Sequence, residues 1–143
     1  MVGTLTDTYV AALQHDLVDL SAETERVGVV RKPTRWLHAV VDDNRPALGP
    51  PASLLEAFQE REESLAVDGL CAEEAHNAAW DAVDFDARYR EYLQNDATGA
   101  AAVDELRRLL EAGTDVALVC YENTETKRCH RTILADELRD AVD

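Results

Sequence analysis

The amino-acid sequence predicts a helix-rich α/β fold: a small, largely parallel sheet of three or four strands with helices packed around it. Residues 27–30 and 116–120 are short, continuously apolar runs, typical of strands buried on both faces. Several helical patterns lie between these two runs, and they provide the right-handed crossover that parallel neighbours require. The length of 143 residues fits a single domain covering residues 1–143.

The first third of the chain is predicted to hold two strands and a loop. Residues 8–13 begin with β-branched and aromatic side chains, which predicts the first strand. Residues 27–30 form the second strand. Pro33 ends it, because proline has no backbone N–H to donate to a sheet. Residues 42–51 contain three prolines and Gly49, which predicts a loop.

The rest of the chain is predicted to be mostly helical. Ser53 has the position of a helix N-cap, with Glu56 three residues later as in a capping box, and Gly69 interrupts the helix that follows. Gly113 has the position of a glycine just beyond a helix C-terminus. The other predicted helices cover residues 72–80, 85–93, 100–112 and 126–141, with a strand at 116–120 and a loop at 122–127.

The charge balance describes the environment of the protein more than its partners. Asp and Glu number 29 against 14 Lys and Arg, a net charge of −15. These acids are spread along the whole chain, which favours a salt-adapted, halophilic surface over an acidic partner-binding tail. The net charge disfavours nucleic acid as a partner. In so acidic a chain, a local cluster of arginines marks a candidate site.

The sequence predicts a cytoplasmic protein. No apolar run approaches the ~18 residues of a membrane span, so no membrane association is expected. Residues 1–4 have neither a basic start nor an apolar stretch, which argues against a signal peptide. The odd number of three cysteines predicts reduced thiols rather than a disulfide framework.

The first candidate site combines Cys120 with the sequence Cys129-His130-Arg131. Cys120 ends the last predicted strand, and the other three residues lie in or near the first turn of the helix after it. The free N–H groups and partial positive charge of a helix start favour a thiolate and attract anions. Cysteine and histidine are also ligands of zinc and iron. Core packing is the competing interpretation for Cys120, because cysteine is among the most buried residues.

A second group of basic residues follows the second predicted strand. Arg31 and Lys32 end that strand, and Arg35 and Trp36 come just after it. If the two apolar strands are neighbours, Arg31 points towards Cys120, so we predict a site role for Arg31. A salt-bridged loop around a core tryptophan is the interpretation preferred for Lys32 and Arg35.

A third segment, residues 71–80, contains His76 and Asn77, which can reach the same site from a neighbouring helix. The competing interpretation is a packed helix that carries a partly exposed histidine.

Residues 116–140 resemble the signature of the domain of unknown function 488 (DUF488) family: a buried strand ending in Cys, an acidic loop, then Cys-His-Arg opening a helix. Residues 29–33 resemble the family's strand that ends in Arg and is followed by Pro, with Val30 in place of the usual acidic residue. Segments 48–53 and 80–93 are also similar to family members. The resemblance implies a compact α/β fold without an established activity. It also implies a shared site around Arg31, Cys120, Glu122, Cys129, His130 and Arg131.

The leading functional hypothesis is an enzyme or binding protein for a small anionic ligand that is phosphate- or nucleotide-like. The coincidence of guanidinium, thiol and imidazole groups at one sheet edge motivates it. The predicted catalytic residues are Cys129 and His130, and the predicted binding residues are Arg31, Cys120, Glu122 and Arg131.

Two alternatives remain open. A zinc- or iron-binding domain would use Cys120, Cys129 and His130, which is one ligand fewer than a structural zinc site needs. A nucleic-acid or protein interaction module would use Trp36 with its basic neighbours. The sequence assigns no cofactor and no oligomeric state.

Overall fold

The computed structural model describes residues 2–121 and 127–142, and its four short strands form one parallel sheet in the order β1-β4-β2-β3. β4 lies between β1 and β2, so that Tyr9 is opposite Cys120 and Gly28 is opposite Val119. The predicted helix-rich α/β class with a small parallel sheet is thereby confirmed. The strands are β1 (Leu5–Tyr9), β2 (Glu25–Gly28), β3 (Asp43–Asn44) and β4 (Val116–Cys120).

Helices make up most of the remaining described chain. No helix within the described ranges is long and apolar enough to cross a membrane. Asp96 caps the helix that directly follows it, since its carboxylate accepts hydrogen bonds from the N–H groups of Thr98 and Gly99. The helices are α1 (Val10–Gln14), α2 (Arg35–Val40), α3 (Ala52–Val67), α4 (Ala72–Ala82), α5 (Phe85–Asn95), α6 (Ala97–Glu111) and α7 (His130–Val142).

The first predicted strand, residues 8–13, is wrong from Val10 onwards. β1 covers Leu5–Tyr9, and the residues that follow form α1 instead of continuing the strand. The partner strand explains this end point: β4 stops at Cys120, opposite Tyr9, so residues beyond Tyr9 have no ladder to join. The second predicted strand is displaced by two residues, although the N–H of Val29 still donates to the carbonyl oxygen of Val119 at 3.0 Å.

Two other boundaries also differ from the prediction. Ser53 is not an N-cap, because α3 begins at Ala52 and Pro51 occupies the cap position in an extended conformation. Proline suits a helix boundary, since its φ is fixed and it has no N–H to leave unpaired. The predicted loop at 42–51 contains β3 and a 3₁₀ turn at Pro46–Leu48. The last helix begins at His130, and the predicted loop at 122–127 lies mostly outside the described residues.

The core lies on both faces of β4. All five residues of β4 are buried, as the apolar run predicts for a strand covered on both sides. Ile133, Leu134 and Leu138 of α7 pack against the core from the C-terminal helix. An aromatic cluster from α3, α4 and α5 extends this core to the carboxyl edge of the sheet. Its members are Phe58, Trp80, Phe85 and Tyr89.

Candidate functional site

A cavity of about 370 Å³ lies at the carboxyl ends of β2 and β4. Parallel sheets bind ligands at this edge, because the loops that follow the strands converge there. α3 and α4 close the cavity from the side with an aromatic wall. The residues around it are Val30, Arg31, Lys32, Pro50, Leu55, Phe58, Gln59, Glu62, His76, Trp80, Phe85, Cys120, Tyr121, Lys127, Arg128, Cys129 and His130.

His130 is the first residue of α7, and the structure holds its imidazole in the neutral form. Its Nε2 lies 2.5 Å from the carbonyl oxygen of Val29. Because a carbonyl can only accept, Nε2 carries the proton. Burial lowers the pKa of His130 to about 4, with the charge of Arg131 acting in the same direction and the bond to Val29 opposing it. The other nitrogen, Nδ1, therefore has a free lone pair, and it lies 3.7 Å from the Sγ of Cys129.

Cys120 and Cys129 meet at the wall of the cavity. Their Sγ atoms are in disulfide-bonding contact, and their Cα atoms are 7.8 Å apart. The side chains are 1% and 3% exposed to solvent, so the cavity is their route of access. The prediction of unpaired thiols fits only Cys71, which is free and exposed. It is wrong for the other two because the end of β4 and the start of α7 meet at one sheet edge.

Arg131 contacts Cys120 but is not among the residues that line the cavity. Its Nη1 lies 3.0 Å from the Sγ of Cys120, and its Nε donates to the carboxylate of Asp7 at 3.0 Å. The guanidinium group also lies over the ring of Tyr9. With only 3% of Arg131 exposed, its charge acts on the sulfur of Cys120 from within the protein.

Arg31 lines the cavity and is held by the chain that precedes α3. Its Nε donates to the carbonyl oxygen of Pro50 at 2.9 Å, and its Nη2 donates to the hydroxyl of Tyr92 at 3.1 Å. Gly49 is necessary for this approach, because a Cβ there would come within 2.4 Å of the backbone nitrogen of Arg31. The Gly-Pro-Pro segment thus fixes Arg31, three residues beyond β2, at the cavity.

α4 holds the backbone of Arg128 directly before Cys129. The side-chain oxygen of Asn77 accepts from the N–H of Arg128 at 3.1 Å, and Nε2 of His76 lies 2.7 Å from its carbonyl oxygen. The guanidinium of Arg128 also forms an ion pair with Asp81. Three side chains of α4 therefore fix the residue directly before Cys129, and this determines where Cys129 lies in the cavity wall.

His76 is a second imidazole in the cavity wall. Its ring stacks on Trp80, and its Nδ1 lies 3.3 Å from a carboxylate oxygen of Glu62. Since the other nitrogen faces the carbonyl of Arg128, the ring of His76 connects α3 with the backbone directly before Cys129. His76 is 6% exposed, so the interpretation of a partly exposed histidine is wrong, while that of a packed helix is confirmed.

The structure brings four of the six predicted site residues to the cavity: Arg31, Cys120, Cys129 and His130. Arg131 lies behind Cys120, and Glu122 lies outside the described residues. Sequence reasoning missed Glu62 and Arg128, and it preferred a salt-bridged loop for Lys32, which lines the cavity. Arg128 had a local signal, since it directly precedes Cys129, whereas Glu62 had none.

Basic side chains outnumber acidic ones among the described residues that line the cavity. Among the described residues that line it, four carry cationic side chains (Arg31, Lys32, Lys127 and Arg128) and one, Glu62, carries a carboxylate. This local excess opposes a chain charge of −15. Within residues 2–121 and 127–142, no group of three or more His, Cys, Asp or Glu side chains is placed to hold a metal ion. Trp36, which the interaction-module alternative invokes, is 67% exposed and does not line the cavity.

A family model described as the active DUF488-N3 subclade matches residues 9–142. The match includes the segment of Arg31 and the segment from Cys120 to Arg131, which carry the resemblance seen in the sequence. No curated protein and no solved structure matches the chain.

Proposed function

Since the chain belongs to the DUF488 family, we propose that its cavity binds a small anionic ligand that is phosphate- or nucleotide-like, and that Cys129 and His130 act chemically on that ligand. The observation that carries this proposal is the charge of the cavity wall. Four cationic side chains face one carboxylate there, in a chain with a net charge of −15. The family model's description as an active subclade agrees with an enzymatic role.

The positive charge that an anion would meet lies on side chains in the cavity wall. At an effective dielectric constant near 20, two unit charges 4 Å apart interact by about 4 kcal/mol. An anion in the cavity would meet Arg31 and Arg128, both held by neighbouring groups, and the start of α7 beside them. Guanidinium groups fixed in this way bind phosphate and carboxylate oxygens with little further loss of entropy.

The aromatic wall favours a ligand that carries a planar ring as well as an anionic group. Phe58, Trp80 and Phe85 line the cavity together with the basic residues. Trp80 and Phe85 stack on each other with centroids 3.7 Å apart, so this wall is rigid. Apolar walls with a few charged groups are typical of small-molecule sites, and this combination supports a nucleotide-like ligand over inorganic phosphate.

The chemistry proposed for the reduced site uses the pair Cys129 and His130. Nδ1 of the neutral imidazole accepts the thiol proton of Cys129, and the thiolate attacks the electrophilic phosphorus or carbon of the ligand. A bond to sulfur forms while the bond to the leaving group breaks, and the leaving group takes the proton from Nδ1. Water then attacks the covalent intermediate and breaks its bond to sulfur, which releases the product and regenerates the Cys129 thiol. With a pKa of about 4, neutral His130 is a weak base that passes the thiol proton on to the leaving group readily, while the start of α7 favours the Cys129 thiolate.

Calorimetric titration of the reduced protein tests ligand binding, with AMP, ribose 5-phosphate, adenosine and inorganic phosphate as probes. We expect AMP to bind most tightly, because only AMP offers both the anion and the ring. Arg128→Gln should weaken AMP binding at least tenfold, since it removes a cavity cation. Arg108→Gln is the matched control, because Arg108 is 73% exposed, lies on α6 and forms an ion pair with Asp104 away from the cavity. Absence of binding by all four probes, or equal losses in both variants, would refute the proposal.

A further inference from the structure

We propose that Cys120 and Cys129 also form a dithiol redox couple, which reduces small hydroperoxides within the same cavity. The inference shares the pair Cys129–His130 with the proposed function but needs no anionic ligand. Its basis is the contact between the two Sγ atoms, which an anion-binding nucleophile would not require. Both sulfurs line the cavity, so a small oxidant that enters it meets both.

Each sulfur has its own polar partner, and the two partners suit different steps. Cys129 lies directly before α7 with the free lone pair of His130 Nδ1 at 3.7 Å, so its thiol has a neutral base beside it. Cys120 has the permanently charged guanidinium of Arg131 at 3.0 Å, which stabilises a thiolate. A neighbouring base suits Cys129 as the sulfur that attacks the peroxide. A stabilised thiolate suits Cys120 as the sulfur that then attacks oxidised Cys129 to form the disulfide.

The reaction balances with a hydroperoxide as the oxidant and an external dithiol as the reductant. The Cys129 thiolate attacks the terminal oxygen of ROOH, the O–O bond breaks, and the alkoxide takes the proton from His130 to give ROH. Cys129 is then a sulfenic acid. The Cys120 thiolate attacks its sulfur, the S–O bond breaks, and the hydroxide takes the former Cys120 thiol proton to give water. Thiol–disulfide exchange with the dithiol regenerates both thiols.

Cys71 provides an internal control. It is exposed, and its Sγ lies 3.1 Å from a carboxylate oxygen of Glu74 rather than beside a guanidinium or an imidazole. Cys71 therefore lacks the guanidinium and imidazole contacts on which the proposed reaction depends. Simple access to solvent would make Cys71 the first thiol to be oxidised, whereas the proposed couple makes it the last.

The test begins with the fully reduced wild-type protein and one equivalent of hydrogen peroxide. We expect two of the three thiols to disappear, the mass to fall by the two hydrogens of one disulfide, and peptide mapping to place that bond between Cys120 and Cys129. Cys71→Ser should react at an unchanged rate. Oxidation of Cys71 first, or persistence of both cavity thiols, would overturn the proposal. This experiment needs no cavity variant, so misfolding of a variant cannot obscure it.

Two further variants test the roles of the sulfurs. Cys129→Ser should lose peroxide consumption at least tenfold, whereas Cys120→Ser should consume peroxide once and accumulate a sulfenic acid that a cyclic 1,3-diketone traps at Cys129. Rapid peroxide consumption by Cys129→Ser, with the sulfenic acid trapped at Cys120 of that variant, would overturn the assignment of the attacking sulfur. AMP binding by the reduced wild-type protein separates the two proposals: it should persist if only the redox couple fails. Thiol oxidation should likewise persist if only anion binding fails.

Discussion

The ring Nε2 of His130 and the carbonyl oxygen of Val29, 101 residues apart in sequence, lie 2.5 Å from each other. This contact connects the first residue of α7 with the end of β2. It also fixes which ring nitrogen carries the proton, so the free lone pair of Nδ1 is directed at Cys129. The same hydrogen bond thus positions a helix and selects the tautomer of a candidate general base.

The first prediction concerns the pH dependence of stability. The pKa of His130 is about 4 in the folded protein against 6.5 ordinarily, so the unfolded chain takes up this proton more readily. The stabilisation from neutral His130 is therefore fully present above pH 6.5 and is lost as the pH falls towards 4. Its upper limit is about 3 kcal/mol. Urea unfolding gives the free energy of unfolding of wild type and of His130→Gln. The difference between these two free energies should shrink by up to this amount from pH 7.5 to pH 4.5.

His15→Gln supplies the control for this measurement, because His15 is exposed and does not line the cavity. A titration of the His130 ring by NMR gives a direct check. A midpoint near 6.5 in the folded protein would contradict the predicted shift.

The second prediction concerns the charge selectivity of the reduced Cys129 thiol. In a Cys71→Ser background, we compare the rate of alkylation by iodoacetate with the rate by iodoacetamide. The ratio of these two rates should be higher for Cys129 than for glutathione. The cationic wall that includes Arg128 and Lys32 concentrates the anionic reagent. The measurement is the ratio of the two rates from mass spectrometry of the modified peptide. Arg128→Gln should reduce this preference several-fold while Arg108→Gln leaves it unchanged, and a preference for the neutral reagent would contradict the prediction.

The third prediction concerns the ion pair between buried Arg131 and partly exposed Asp7. Arg131→Met should lower the free energy of unfolding by on the order of 3 kcal/mol, because it leaves Asp7 without its partner at 3.0 Å. Asp7→Asn in the same chain should recover part of this loss, since no unpaired carboxylate then remains. Urea unfolding of the two single variants and the double variant measures the coupling. Strictly additive losses would show that the pair contributes nothing beyond its separate side chains.

The fourth prediction concerns the approach of Gly49 to Arg31. Gly49→Ala should lower the free energy of unfolding by about 1–3 kcal/mol, because its Cβ would overlap the Arg31 backbone rather than a flexible side chain. Displacement of Arg31, which lines the cavity, should also weaken AMP binding. Thermal unfolding and calorimetry check the two effects. A Gly49→Ala variant as stable as wild type would show that the segment shifts without cost.

The sequence predicted the centre of the sheet better than its edges. β4 was found with its bounds, because a strand buried on both faces leaves a continuous apolar run. β1 was misplaced, since its end depends on where β4 stops and not on its own residues. The two-residue β3 was missed for a similar reason: Asp43 and Asn44 have no strand-like pattern and pair because β2 is next to them.

Residues 127–131 show where sequence and tertiary structure each decide. The chain by itself makes Cys129 and His130 neighbours and places them at the start of a helix, and the strand pattern places Cys120 at the same sheet edge, because parallel strands end on one side. Tertiary packing decided which way each side chain faces. It directed Arg131 to Asp7 and Cys120, and it brought α4 against Arg128. Such contacts join residues tens of positions apart, and they depend on helix rotation and core packing, which leave no local pattern in the sequence.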